Sequence, residues 1–287
     1  MKATKERLRS HVQTLASEIG ERHLFRPQAL HAAADYITQE WQNQGYQVAA
    51  QNYEVNGISC ANLEISQRGL IFPEDIILIG AHYDSVVGSP GANDNGSGIA
   101  ALLEISRLFT TLTPRNTVRF VAFSNEEPPF FTSKHMGSLV YAQTAHRRQD
   151  KIRLMVSLET IGYFNSAPGS QHYPPLFNFF YPNRGDFIAF ISNFRSRKVM
   201  RQAAQAFRRH SQFPLEYTAT FANIPGVSWS DHWSFWHLGY RAFMITDTAP
   251  YRYAYYHSAQ DTPEKVCFEA LTHLTDGLFM AFADLAN

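Results

Sequence analysis

A short apolar run, Ile76-Ile77-Leu78-Ile79, leads directly into a stretch rich in Gly, Pro, Ser and Asn that occupies positions 80 to 98. Beyond it, apolar residues stand at 99, 102, 103, 105, 108, 109 and 112. The run is too short for a helix and reads as a buried strand, whereas the later spacing is that of a helix burying one face. A strand, a tight turn and a helix in this order commit the chain to a layered fold with the turn pinned at both ends. Inside the turn sit one imidazole, His82, and two carboxylates, Asp84 and Asp94. A loop held between rigid elements is where metal-binding and catalytic groups are best positioned.

The same reading, carried along the chain, gives helices alternating with strands. Leu8, Val12, Leu15 and Ile19 form one helical stripe, and Leu30, Ala33, Ile37 and Trp41 a second that Gly45 stops. Residues 47–55 and 58–67 predict a hairpin about Asn56-Gly57. Residues 117–123, 153–158 and 241–247 predict further strands, and 195–210 a helix with a basic, solvated face. Thr262-Pro263-Glu264 has the form of a capped helix start, and Leu271, Leu274, Leu278, Phe282 and Leu285 give that last helix a buried face. Residues 164–186, rich in Pro, Gly, Asn and aromatics, have no period and predict an irregular cover near the site. The expected architecture is a single α/β domain spanning 1–287: a central, mostly parallel mixed sheet flanked by helices, with the helices of 1–45 packed on it.

Charge excludes some partners. Lys+Arg of 25 against Asp+Glu of 25 leaves no field for nucleic acid or an anionic membrane. No apolar run approaches the roughly 18 residues of a membrane span. The first residues lead into a helical pattern without the apolar region of a signal peptide, and Cys60 and Cys267 form no CxxC. Two buried thiols in a cytoplasmic, reducing setting are therefore expected. Oligomeric state has no signature.

The polar residues recur at strand ends. His82 and Asp84 lie just past one strand, Glu126 and Glu127 just past the next, and Glu159 ends a third. In open α/β sheets ligands sit beyond the carboxyl ends of the strands, so these groups are expected to converge, with Asp94 and His257 entering from loops. Two histidines, His82 and His257, and three carboxylates, Asp94, Glu159 and one of Glu126 and Glu127, are a donor set suited to two Zn²⁺ ions if one carboxylate bridges them. The sixth group, one half of the Glu126-Glu127 pair, is left for proton transfer. Residues 91–98 lack the Lys of a phosphate-binding loop.

Four segments, His82-Tyr-Asp84, Gly91-Ala-Asn-Asp94-Asn-Gly-Ser-Gly98, Asn125-Glu126-Glu127, and Tyr256-His257-Ser258 with Asp261-Thr262, resemble in order the motifs of the co-catalytic di-zinc peptidase family of bacterial leucyl aminopeptidases, glutamate carboxypeptidase II and glutaminyl cyclases. The resemblance implies the zinc-exopeptidase fold, with His82 on one zinc, Glu127 and His257 on the other, and Asp94 bridging. It makes Asp84 an orienting residue for His82, makes Glu126 the general base toward a zinc-bridging water, and makes the Asp94–Asn95 peptide cis. Glu159 stands where the family's aminopeptidases have Asp, and Asn125 where many members have Gly. Ser230-Asp231-His232 resembles a segment lining the cleft, with His232 not a ligand. The implied activity is hydrolysis of a peptide bond, most simply by an aminopeptidase. The alternatives are a single-zinc glutaminyl cyclase, a carboxypeptidase drawing on Arg184, Arg241 or Arg252, and a binding protein without activity. Phe130, Phe131, Tyr163, Tyr256 and the aromatics of 164–181 are candidates for the wall of a side-chain pocket.

Overall fold

The computed structural model describes residues 2–287. Helix α1 (Lys5–Gln13) runs on as a wider-wound turn, Thr14–Ile19, and α2 spans Pro27–Asn43. Strands β1 (Ala49–Val55) and β2 (Ile58–Gln67) form the expected hairpin. Then come β3 (Phe72–His82), α3 (Gly98–Phe109), β4 (Asn116–Phe123), α4 (Gly137–Arg147) and β5 (Lys151–Glu159). After the irregular segment follow β6 (Ile188–Asn193), α5 (Arg197–His210), β7 (Leu215–Thr220), α6 (His232–His237), β8 (Ala242–Thr246), α7 (Ala249–Arg252) and α8 (Phe268–Ala286).

All eight strands join one mixed sheet of order β1-β2-β4-β3-β5-β8-β6-β7. Its centre, β4-β3-β5-β8, is parallel; β2 and β6 pair antiparallel with it, and β7 runs parallel to β6 at the edge. β3 reads as an unbroken apolar run because both its faces are covered. Ile77 and Ile79 face a large cluster with α1, α2, α3, α5 and α8, while Ile76 and Leu78 face a smaller one with Val121, Met155 and residues of α4 and α6. Parallel neighbours place the carboxyl ends of β3, β4, β5 and β8 on one edge of the sheet, where the site lies. Among the described residues no helix is long and apolar enough to cross a membrane.

Two expectations are corrected. The last helix does not begin at Pro263: Pro263–Lys265 is a single 3₁₀ turn, Val266 is extended, and α8 starts at Phe268. The Cys267 amide donates to the Gly162 carbonyl at 2.8 Å, which ties this segment to the loop after β5 before the helix begins. Cys60 is buried but Cys267 is exposed, and both thiols are free.

Candidate functional site

His82 is the last residue of β3 and Glu159 the last of β5; Glu126 and Glu127 follow β4. Asp94 lies in the turn before α3, and His257 in the loop after α7. The structure brings all of them together. His82 Nε2 is 3.5 Å from Asp94 Oδ1, 3.3 Å from Glu159 Oε2 and 3.8 Å from Glu126 Oε2. On the other side, His257 Nε2 is 3.2 Å from Asp94 Oδ2 and 3.2 Å from Glu127 Oε2. Asp94 thus stands between two groups of donors, one oxygen toward each. All are buried except His257, whose side chain is 31% exposed.

The backbone around these side chains is held by other carboxylates. Asp84 accepts from the amides of both Glu126 and Glu127, each at 3.1 Å. Its carbonyl is the atom nearest His82 Nδ1, at 3.2 Å, and its carboxylate is farther, at 3.6 Å. The orienting role implied for Asp84 is therefore divided: the carbonyl faces the imidazole and the carboxylate holds the glutamate pair. Asn125 before that pair has φ 56, the left-handed region that Gly enters freely and Asn tolerates best among residues with a Cβ. Its side chain donates to Tyr53 Oη and Cys60 Sγ.

Asp261 does for Asp94 what Asp84 does for the glutamates, accepting from the amides of Asn93 at 2.8 Å and Asp94 at 3.0 Å and from the Tyr253 hydroxyl at 2.6 Å. Arg22, fully buried, donates to the carbonyls of Tyr83, Pro90 and Gly91 and so clamps both ends of the turn. The Asn95 side chain donates to the Leu158 carbonyl, and a Cβ on Gly98 would collide with that same side chain. The Asp94–Asn95 peptide is cis, as the resemblance implied; Pro128–Pro129 is cis as well. Ser230 Oγ donates to Glu159 Oε2 at 2.7 Å, and His232 Nε2 is taken by the Val227 carbonyl. Nothing in the sequence marks Arg22. Asp247, which accepts from Asn93 and from the Tyr163 amide, stands just past β8 and was open to the strand-end argument.

Crowded carboxylates set the electrostatics. Burial pushes Glu127 up to about 8, with the Asp94 charge adding to it. Burial also raises Glu126 well above the carboxylate range, opposed by His82 and reinforced by Glu159 and Glu127. His257 is drawn up to about 10: burial lowers it, but Asp94 and Glu127 outweigh burial. Histidines pulled up and glutamates pushed up mark a site short of positive charge. Buried His82 Nε2, Asp94 Oδ2 and Glu127 Oε1 also lack any hydrogen-bond partner, although buried polar atoms are ordinarily paired. One donor atom each of His82, Asp94 and Glu127 lies within 4.8 Å of the others. Imidazole nitrogen and carboxylate oxygen are the donors zinc accepts, so the residues fit the metal that the resemblance implied.

Beside this cluster opens a pocket whose lining includes Glu159 and Tyr256. Its wall includes Tyr173, Phe177 and Tyr181 of the irregular segment, as expected, together with Phe187, Trp229 and Tyr251. Three of the expected wall residues lie elsewhere: Phe130 stacks on Phe25, Phe131 packs near Trp233, and Tyr163 packs against Tyr253.

Comparison with known proteins agrees with this geometry. Residues 61–282 match peptidase family M28. The uncharacterized protein YfbL of Escherichia coli is 37% identical over 96% of this chain and 87% of its own length. The probable aminopeptidase YDR415C of Saccharomyces cerevisiae is 31% identical over 72% of this chain, a match that spans 52% of the yeast protein. In fold, the chain superposes on BSAP, a zinc aminopeptidase from Bacillus subtilis, with TM-score 0.78, covering 99% of this chain and 95% of that one at 15% identity. Fimbriiglobus ruber glutaminyl cyclase gives 0.72 over 98% and 95%, at 17% identity. With its motifs in order, its donors gathered at the strand ends and its sequence matched over most of its length, this chain belongs to peptidase family M28.

Proposed function

We propose that this zinc-dependent, aminopeptidase-like member of the family removes the first residue from short peptides, with Glu126 as general base and His82, Asp94, Glu127, Glu159 and His257 holding the metal. The observation that carries this reading is the set of buried atoms on His82, Asp94 and Glu127 that make no hydrogen bond, gathered beside Glu126, whose carboxylate is 3.8 Å from His82 Nε2. Zinc, when bound there, supplies Lewis acidity that polarises a carbonyl and acidifies a water. The donor set divides about Asp94, which supports two ions per chain.

Glu126 is buried, and its carboxylate faces the cluster while its amide is anchored on Asp84. It accepts the proton of the attacking water as the carbon–oxygen bond forms, and returns it to the amine as the carbon–nitrogen bond breaks. Asp84 anchors both amides, with the Glu127 carboxylate beside His257 and the Glu126 carboxylate beside His82. The acids of the cleft give a free α-amino group a place to bind, which favours an exopeptidase.

Two of the arginines named for the carboxypeptidase alternative are engaged by the protein's own acceptors. Arg252 is buried and donates to Gln171, Gly185 and Phe187, and Arg184 donates to the Ser166 carbonyl from the surface. A cytoplasmic location is the reading that the unbridged cysteines support. The experiment is Glu126→Gln assayed with amino-acid amides after metal analysis. Turnover falls by about three orders of magnitude while zinc stays near the wild-type content. Ordinary turnover in Glu126→Gln would refute the role of Glu126.

A further inference from the structure

The pocket beside the cluster has an acidic far end. Glu159 pairs with Thr246 across β5 and β8, Thr246 with Ala189 across β8 and β6, and Ala189 with Glu216 across β6 and β7. These four residues form one row across the sheet, and all four line the pocket. Three strand spacings set Glu216 about 14 Å from Glu159 along that row. The two residues between are small, so the floor from the cluster to Glu216 is open. Over it stand Tyr173, Phe177 and Tyr181, packed on one another with ring centroids 5.9 and 6.0 Å apart.

Glu216 has no ion pair and no side-chain hydrogen bond among the described residues. Arg208, the cation that acts on it electrostatically, is committed elsewhere: its guanidinium lies 5.1 Å from the Tyr217 ring and donates to the Leu215 carbonyl. Tyr217 alternates with Glu216 along β7, which places that ring toward the opposite face. Glu216 is therefore a half-buried carboxylate among aromatics with its counter-charge missing.

We infer that this pocket takes a long cationic side chain, lysine or arginine, on the residue whose bond is cut, with Glu216 as its counter-charge. The inference rests on the aminopeptidase reading above and adds a substrate class to it. Aromatic faces attract a cation and cover the aliphatic stem of a lysine or arginine, while the head reaches the acid. A neutral apolar side chain fills the same walls but leaves Glu216 without a partner, and an acidic one meets like charge. Specificity of this kind resides in the differences among substrates.

The test uses zinc-loaded wild-type protein and Glu216→Gln with coumarin amides of lysine, arginine, norleucine and glutamate. Norleucine carries the stem without the charge. The wild type should show a lysine-to-norleucine ratio in kcat/KM of about ten or more, falling toward one in Glu216→Gln. Glu216→Asp should keep part of the preference, and Glu216→Lys should turn it toward glutamate. A ratio that is the same in wild type and Glu216→Gln overturns the inference. Absence of hydrolysis with every amide contradicts the peptidase reading instead, and calorimetric binding of L-lysinamide against L-norleucinamide then decides the pocket. Tighter lysinamide binding that is lost in Glu216→Gln upholds it; equal binding overturns it.

Discussion

The two halves of the sheet do different work. In the parallel centre, His82, Asp94, Glu126 and Glu127 are buried, and further carboxylates hold the backbone beneath them: Asp84 for the glutamates, Asp261 for Asp94. At the edge, β7 carries half-buried side chains beside the mostly buried β6, and the irregular cover is rich in exposed aromatics such as Phe179 and Phe180. The contrast sets the proposed chemistry among buried, hydrogen-bonded groups and the proposed selection beside a half-buried edge. Hydrogen-bonded acids in the centre aim groups to a fraction of an ångström. An edge lined by aromatic residues, on the inference above, would discriminate by contact and charge instead.

Asp84→Asn strikes the centre at its support. The variant keeps the shape but loses the charge that accepts two amides, and turnover should fall about 10- to 100-fold with a smaller loss of zinc. A change of less than twofold, read by steady-state kinetics and metal analysis together, would show that the glutamate pair needs no such anchor. Tyr173→Ala strikes the edge. It should raise KM for lysine amide about tenfold with zinc content unchanged, and loss of metal in this variant would erase the division between the halves.

Glu104 lies outside both regions and separates stability from activity. It is buried on α3, 2.6 Å from Arg7 Nε on α1, 2.9 Å from Arg107 Nε and 3.9 Å from His11 Nε2. Burial alone would raise its carboxyl, but His11, Arg107 and Arg7 together hold it well below the ordinary range. Its stabilisation is therefore complete above the unfolded value near 4.5 and is lost as pH falls through the depressed folded value. Arg7 is 41% exposed, so solvent screening keeps the effect modest, and Glu104→Gln should lose about 1–2 kcal/mol at pH 7. Thermal melts should show that gap closing below pH 4, with turnover per folded molecule unaltered throughout; a gap that grows on acidification would contradict the assignment.

Much of the centre was legible in the sequence. The β3–turn–α3 unit, the β1–β2 hairpin and the polar residues at strand ends could be read from local pattern, because burial on both faces leaves unbroken apolar runs and the turn carries its own Gly and Asn. The edge was not. Strands β6 and β7 are six residues each, β6 mostly buried and β7 half-buried along nearly its whole length, so neither shows a clear alternation. The meaning of Glu216 depends on a register that joins β5, β8, β6 and β7, and no local spacing encodes that. The start of α8 was misplaced for a related reason: Thr262-Pro263-Glu264 is a sound local helix signal, overridden by the hydrogen bond from Cys267 to Gly162. Asp84 and Asp261 lay in readable motifs, but their service to backbone amides rather than side chains appears only once the loops are brought together.

The account turns on neighbouring glutamates having opposite duties, one toward metal and one toward protons. Zinc per chain, measured by mass spectrometry on Glu126→Gln and Glu127→Gln prepared side by side, tests this most directly. The account predicts wild-type zinc in Glu126→Gln and the loss of at least one ion in Glu127→Gln. Equal contents in the two variants would contradict it.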